Sequence, residues 1–158
     1  MKIKQLLYLL ALAVFIFSSC KKDDKDYRDK FEGIYETDVV GLITLIDAMD
    51  LPVRYSESIA VNKIGNTQLM FTIGSGIMTA TVNEQGDFTF PDESGYQTLT
   101  YYDGLRITMS FTVSIAGTIT NKMLYMKETY SGNAIIEIDG EVIPTKLSGI
   151  IVYNGTKK

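Results

Sequence analysis

The chain has 158 residues with no histidine, no tryptophan and a single cysteine, and it carries 15 basic against 19 acidic side chains. Those counts exclude imidazole acid/base catalysis, a Ser-His-Asp hydrolase, histidine metal ligation and any disulfide within the chain. The acidic balance also argues against a surface that neutralises nucleic-acid phosphates.

Met1-Lys2-Ile3-Lys4 is basic, Leu6 to Phe17 is an uncharged apolar run, and Ser18-Ser19-Cys20 closes it. The run is shorter than the ~20 apolar residues that span a bilayer and suits the apolar core of a cleaved signal peptide. Phe17-Ser18-Ser19-Cys20 resembles the lipobox of bacterial lipoproteins, with Phe17 where leucine is usual. The resemblance implies acylation, as with palmitate, of the Cys20 thiol and cleavage before it. The alternative reading of Cys20 is an unmodified thiol in an uncleaved anchor or an ordinary secretory leader. Each methylene of an acyl chain contributes about 0.8 kcal/mol of membrane affinity, so a multiply acylated cysteine is a stable anchor. Lys22-Asp23-Asp24 is similar to the lysine-then-acidic signal that sends lipoproteins of the Bacteroidetes group to the outer face of the outer membrane. The expected location is therefore the outer membrane, lipid-anchored and exposed at the cell surface, with a periplasm-facing anchor as the alternative.

Loss of residues 1–19 with the leader removes Lys2 and Lys4 and leaves 13 basic against 19 acidic side chains, a formal charge of −6. Residues 21–32 hold five charges of each sign, so the acidity belongs to residues 33–158. Lys21 to Lys30 has one aromatic residue, Tyr27, and no aliphatic one. Such a run buries too little apolar area to offset roughly 1–2 kcal/mol of ordering entropy per residue. It divides the chain into a signal peptide at 1–19, a lipidated, flexible charged tether at 20–32 and one domain at 33–158.

That domain reads as all-β. From Leu105 to Thr120, apolar residues (Leu105, Ile107, Met109, Phe111, Val113, Ile115) alternate with small or polar ones, the period of a strand with one buried face. At ~3.3 Å per residue so long a run must coil, bend at Gly117 or divide in two. Ser56–Ile64 and Gln68–Ile73 flank Gly65-Asn66-Thr67, and Ile77–Val82 and Phe88–Phe90 flank Asn83 to Asp87, which predicts two hairpins. Leu99–Tyr102 meets Leu105 across Asp103-Gly104, Met123–Tyr130 follows Asn121-Lys122, and Ala134–Ile138 meets Val142–Tyr153 across Asp139-Gly140. An Asp-Gly pair supplies the positive φ of a tight hairpin turn. Gly41 to Leu51 fits helical spacing as well as strand spacing, and Pro52 ends either, so a short helix that plugs the core, or a lid, is expected there.

The expected architecture is an antiparallel meander of about eight to ten strands, closed as a barrel, with a β-sandwich as the alternative. Gly33-Ile34-Tyr35 resembles the glycine-x-tryptophan start of lipocalins and calycins, with tyrosine in place of tryptophan. The layout as a whole resembles small lipocalin-like, calycin-like lipoproteins of Bacteroidetes. Absence of tryptophan, disulfide and a helix after the last strand departs from the lipocalin pattern, so no ligand carries over.

The resemblance implies a barrel that binds one small apolar or amphipathic ligand, lined by Tyr35, Phe71, Met109, Phe111 and Tyr125, although such large side chains also suffice to fill a small barrel. The alternative is a surface interaction or glycan-binding module, for which Tyr96, Tyr101, Tyr102, Tyr125, Tyr130 and Tyr153 supply flat faces with hydroxyls. Carboxylate pairs that could serve a glycosidase are Asp47 with Asp50, Asp92 with Glu93 and Glu137 with Glu141. All have ordinary turn or strand roles, so no catalytic residue, metal site or cofactor is expected. The membrane, through Cys20, and a small ligand are the expected partners, with no nucleic acid.

Overall fold

Side-chain alternation builds nearly every element of the computed structural model, which describes residues 26–101 and 104–158. The leader, Cys20 and the first charged residues after it lie outside the described residues. The strands are β1 Gly33–Leu45, β2 Met49–Ile64, β3 Gln68–Ile73, β4 Gly76–Val82, β5 Asp87–Thr89, β6 Glu93–Thr100, β7 Arg106–Ile119, β8 Met123–Ile138 and β9 Glu141–Lys157. Their order in the sheet is β5-β4-β3-β2-β1-β9-β8-β7-β6, all antiparallel, and β5 also pairs with β7. That last pairing closes eight strands into a barrel and leaves β6 outside it. The meander is thus a barrel, and the sandwich alternative does not hold.

Closure is confined to one end. β5 reaches β4 through Thr81↔Thr89 and Val82↔Phe88 and reaches β7 through Asp87↔Thr118, Phe88↔Gly117 and Thr89↔Ala116. β6 then runs along the remainder of β7, from Glu93↔Val113 to Thr100↔Arg106. On the other side, β2 pairs with β3 only from Ile59 onward. Beyond that level the wall is a curved sheet, β2-β1-β9-β8-β7-β6, in which Met49–Ser58 of β2 pair with β1 alone and the outer edges of that stretch and of β6 have no strand partner among the described residues.

β7 is one strand, not two. At Gly117 the backbone is closely approached, since an added Cβ would lie 2.1 Å from the Tyr125 carbonyl oxygen and 2.6 Å from the Phe88 ring. Gly41–Leu51 is not a helix. The segment is the end of β1, a turn at Ile46-Asp47-Ala48 with Asp47 at φ 62°, and the start of β2. Val39 to Leu45 is laddered to β2 on one side and β9 on the other, which satisfies every backbone group, and Val39, Val40, Ile43 and Thr44 favour the extended form. The Asp139-Gly140 turn has positive φ at both residues, 51° and 85°, as its sequence demands.

The interior holds two apolar clusters. The closed end is filled by Tyr35, Ile59, Val61, Leu69, Phe71, Phe88, Phe90, Ile119, Leu124 and Met126. Phe71 lies 4.9 Å from Phe88 and 5.0 Å from Phe90, centroid to centroid. The far half holds Leu45, Ile107, Met109, Ala134, Ile136 and Leu147. Ile43 and Tyr130 pack against both.

Residues 26–32 correct the tether boundary at 32. Tyr27–Lys30 is a short 3-10 helix that caps the closed end, and Phe31 is fully buried. The Arg28 guanidinium donates to the carbonyls of Ile64, Gly65 and Gln68 at 3.1, 2.9 and 3.1 Å and to both Asp26 oxygens at 2.9 and 2.6 Å. The Tyr27 hydroxyl donates to the Val82 carbonyl at 3.0 Å. A charged run can dock here because its buried charge is paired and its donors are satisfied. Arg28 holds the Asp26 carboxyl down to about 2. A depressed carboxyl stabilises the fold above its unfolded value and loses that contribution as pH falls toward the folded one. Arg28→Met is expected to lower unfolding free energy by roughly 2–3 kcal/mol in urea titrations at pH 7. The gap should narrow between pH 4 and pH 2.

Candidate functional site

The residues expected to line a ligand cavity do not meet at one place. Tyr35 is fully buried at the closed end, and its hydroxyl shares its proton between the Phe31 and Thr120 carbonyls at 2.9 and 3.0 Å. Phe71 belongs to the phenylalanine cluster of the closed end, whereas Met109 sits in the far cluster. Phe111 packs against Tyr130 at 5.5 Å between centroids, with the rings tilted by 58°, and covers Gly95, where a Cβ would lie 2.6 Å from its ring. Tyr125 is on the outer face and 42% exposed. The closed end is therefore a packed core.

The carboxylate pairs are equally ordinary. Asp50 accepts from the Thr44 hydroxyl at 2.9 Å on the surface, Asp47 is in a turn, and Glu137 faces Arg106 at 3.5 Å. Asp92, between β5 and β6, and Glu93, the first residue of β6, are exposed, and Glu141 opens β9 opposite Ile138. Among the described residues no group of three or more such side chains is placed to hold a metal ion.

A different constellation lies inside the barrel, at the level where closure stops. On β8, Leu124, Met126, Glu128 and Tyr130 share the inward face, and Glu128 is only 8% exposed. Its two oxygens accept from the hydroxyls of Tyr130 at 2.6 Å and of Tyr153, on β9, at 2.8 Å. The Tyr55 hydroxyl is 3.5 Å from that of Tyr153 and extends the network to β2. Glu57 stands two residues further along β2, opposite Thr37 of β1, whose hydroxyl donates to the Glu57 backbone carbonyl at 2.7 Å. Glu57 Oε1 is buried and receives no hydrogen bond.

This arrangement sets the charge states. Burial, and then the nearby Glu128 carboxylate, push the Glu57 carboxyl above its usual range. Burial pushes the Tyr130 and Tyr153 hydroxyls far above the ordinary phenol value, and Tyr35 to about 12. Tyr55 is 45% exposed, so the network reaches solvent along the stretch of β2 that pairs with β1 but not with β3.

Sequence reading missed Glu57, Glu128 and Tyr55, although a signal was present. Leu51, Val53, Tyr55, Glu57, Ile59 and Val61 have one parity, and Leu124, Met126, Glu128 and Tyr130 another, so each glutamate interrupts an apolar face.

Two of the concavities of ligand size lie elsewhere. One of about 660 Å³ lies between the β1–β2 turn and the adjoining part of β8 and β9, against Asp47, Asn133, Pro144 and Lys146. The other, about 600 Å³, runs along the outside of β7 and β8, with Ser114, Ala116 and Thr118 between Tyr125 and Lys127 on one side and Phe90 and Asp92 on the other.

An acid whose folded pKa is raised weakens the fold as pH rises above its unfolded value. Glu57→Gln is thus expected to raise the melting temperature by a few degrees at pH 8 and by less at pH 4, read by scanning calorimetry.

No protein-family model matches the chain, and no curated protein matches it. Among solved structures it is similar to a protein of unknown function of the DUF3598 family from Nostoc punctiforme, at 15% identity and a TM-score of 0.44, over 82% of this chain and 48% of that one. A protein of unknown function from Bacteroides ovatus is similar at 12% identity and a TM-score of 0.29, over 78% and 48% of the two chains. The chain spans about half the length of each.

Proposed function

We propose that this protein is a lipid-anchored, non-catalytic surface module whose barrel takes up a small amphipathic molecule at its open side. The observation that carries the reading is the carboxylate and tyrosine network placed between two apolar clusters, where one edge of β2 is unpaired. Polar groups in such an interior are retained at a price in stability unless a partner uses them. An amphipathic ligand would set its polar end against Glu57 and Tyr55. Its apolar part would lie along Leu51, Val53 and Phe111, which are half-buried on the same inward face.

The motif at Cys20 supports anchoring. Five residues lie between Cys20 and Asp26, and the six Cα–Cα steps reach at most about 22 Å. An acylated Cys20 would therefore hold the capped, closed end toward the bilayer and leave the open half facing away from it. A second reading, a glycan-contacting outer face, is favoured by the groove that sets Tyr125 beside the hydroxyls of Ser114, Thr118 and Thr129. Aromatic faces flanked by hydrogen-bonding groups suit sugars.

The test is twofold. Metabolic labelling with an alkynyl palmitate should tag the wild-type chain in the membrane fraction, and Cys20→Ala should abolish both the label and the sedimentation. Native mass spectrometry of the mature chain should show a co-purifying small molecule that is lost on Tyr55→Lys, whereas loss on Tyr125→Ala instead would favour the outer groove.

A further inference from the structure

We infer that the polar end of the ligand is an organic ammonium group, held between Glu57, Glu128 and the ring of Tyr55. This rests on the reading of the open side as a site for amphipathic molecules and specifies what that site recognises.

The network lacks a cation, not an acceptor. Glu128 is buried, and both its oxygens are already occupied by tyrosine hydroxyls. The buried oxygen of Glu57 has no donor, and the two carboxylates act on each other. The groups facing them are Thr37 from β1, Tyr55 and Ile59 from β2, Tyr130 and Met126 from β8, and Tyr153 from β9, none of them basic. The neighbouring basic side chains are engaged or point away. Arg54 alternates to the outer face, Arg28 is paired with Asp26, Lys63 with Asp26, Asp29 and Glu32, Arg106 with Glu137, and Lys158 with Glu36 at 2.7 Å.

Two carboxylates without a cationic neighbour in a half-buried place are stabilised by an incoming positive charge, which favours the ionised form of both. A neutral hydroxyl could satisfy one oxygen but not the charge, and an anion would be repelled. The half-exposed Tyr55 ring offers a face to a cation, an interaction strongest with weakly hydrated alkylammonium groups. Leu51, Val53 and Phe111 supply apolar surface for an attached chain. No covalent bond forms between protein and ligand; the bound cation favours the ionised form of Glu57.

The probes are octyltrimethylammonium, octyl glucoside and octyl sulfate, which share one tail, titrated below their micellar concentrations into the full mature chain by isothermal calorimetry at pH 7.5. The expected result is one octyltrimethylammonium per chain, bound at least tenfold more tightly than the other two, weakened at least tenfold by Glu57→Gln and progressively weakened as pH falls toward 5. Tyr55→Leu should weaken it about threefold. Glu57→Gln keeps every other acidic residue, so non-specific attraction to an acidic protein would survive that variant and would overturn the inference. Equal or tighter binding of the glucoside or the sulfate would overturn the ammonium assignment while leaving an amphiphile site in place. Failure of all three to bind would remove the site and this inference with it.

Discussion

Two residue pairs, Thr81 with Thr89 and Val82 with Phe88, hold the barrel closed. They work because β5, three residues long, lies between β4 and the end of β7, and because Gly117 lets Phe88 come against the β7 backbone. Below that seam the wall is complete and the space inside is filled by interlocked phenylalanines, with Arg28 and Phe31 sealing the end. Above it β6 follows β7 away, β2 keeps β1 but loses β3 on its other edge, and a polar layer separates the two apolar clusters at the same level. The position of the glutamate and tyrosine network is thus a consequence of where the strand pairing stops.

The same division explains why a barrel of this size need not hold a ligand at its centre. Eight strands enclose a space that side chains alone can fill, and here Tyr35, Phe71 and Met109 fill it. Glu57 and Glu128 oppose this trend, since two carboxylates in such surroundings weaken the folded state unless protonated or paired. Tyr130 and Tyr153 relieve Glu128 but leave Glu57 wanting a partner. That asymmetry between two chemically identical groups marks the site.

Much of the fold was legible from residues alone. The alternation through β7 and the Asp139-Gly140 turn carried the strand class and a correct hairpin, because period two and positive φ are local properties. Gly41–Leu51 misled because apolar residues were spaced to suit helix and strand alike, and only the ladders from β2 and β9 decide between them. Residues 26–32 looked like an unstructured arm because their docking depends on carbonyls of the distant β2–β3 turn, which composition does not reveal. Large apolar residues attracted the site prediction, yet such residues are mainly the packing of the core. The polar residues that break an apolar face, Glu57 and Glu128, were the better signal, but their convergence depends on strand register.

The site depends above all on Glu57 being a half-buried carboxylate held against Glu128 without a counter-charge. Carbon-13 NMR of the Glu57 carboxyl in the mature chain, followed across pH, reads that state at the atom concerned. The expected titration midpoint lies above that of exposed glutamates in the same spectrum and falls when Glu128 is replaced by glutamine. A midpoint in the ordinary glutamate range, unmoved by Glu128→Gln, would show that Glu57 feels neither burial nor its neighbour and would contradict the assignment of the site.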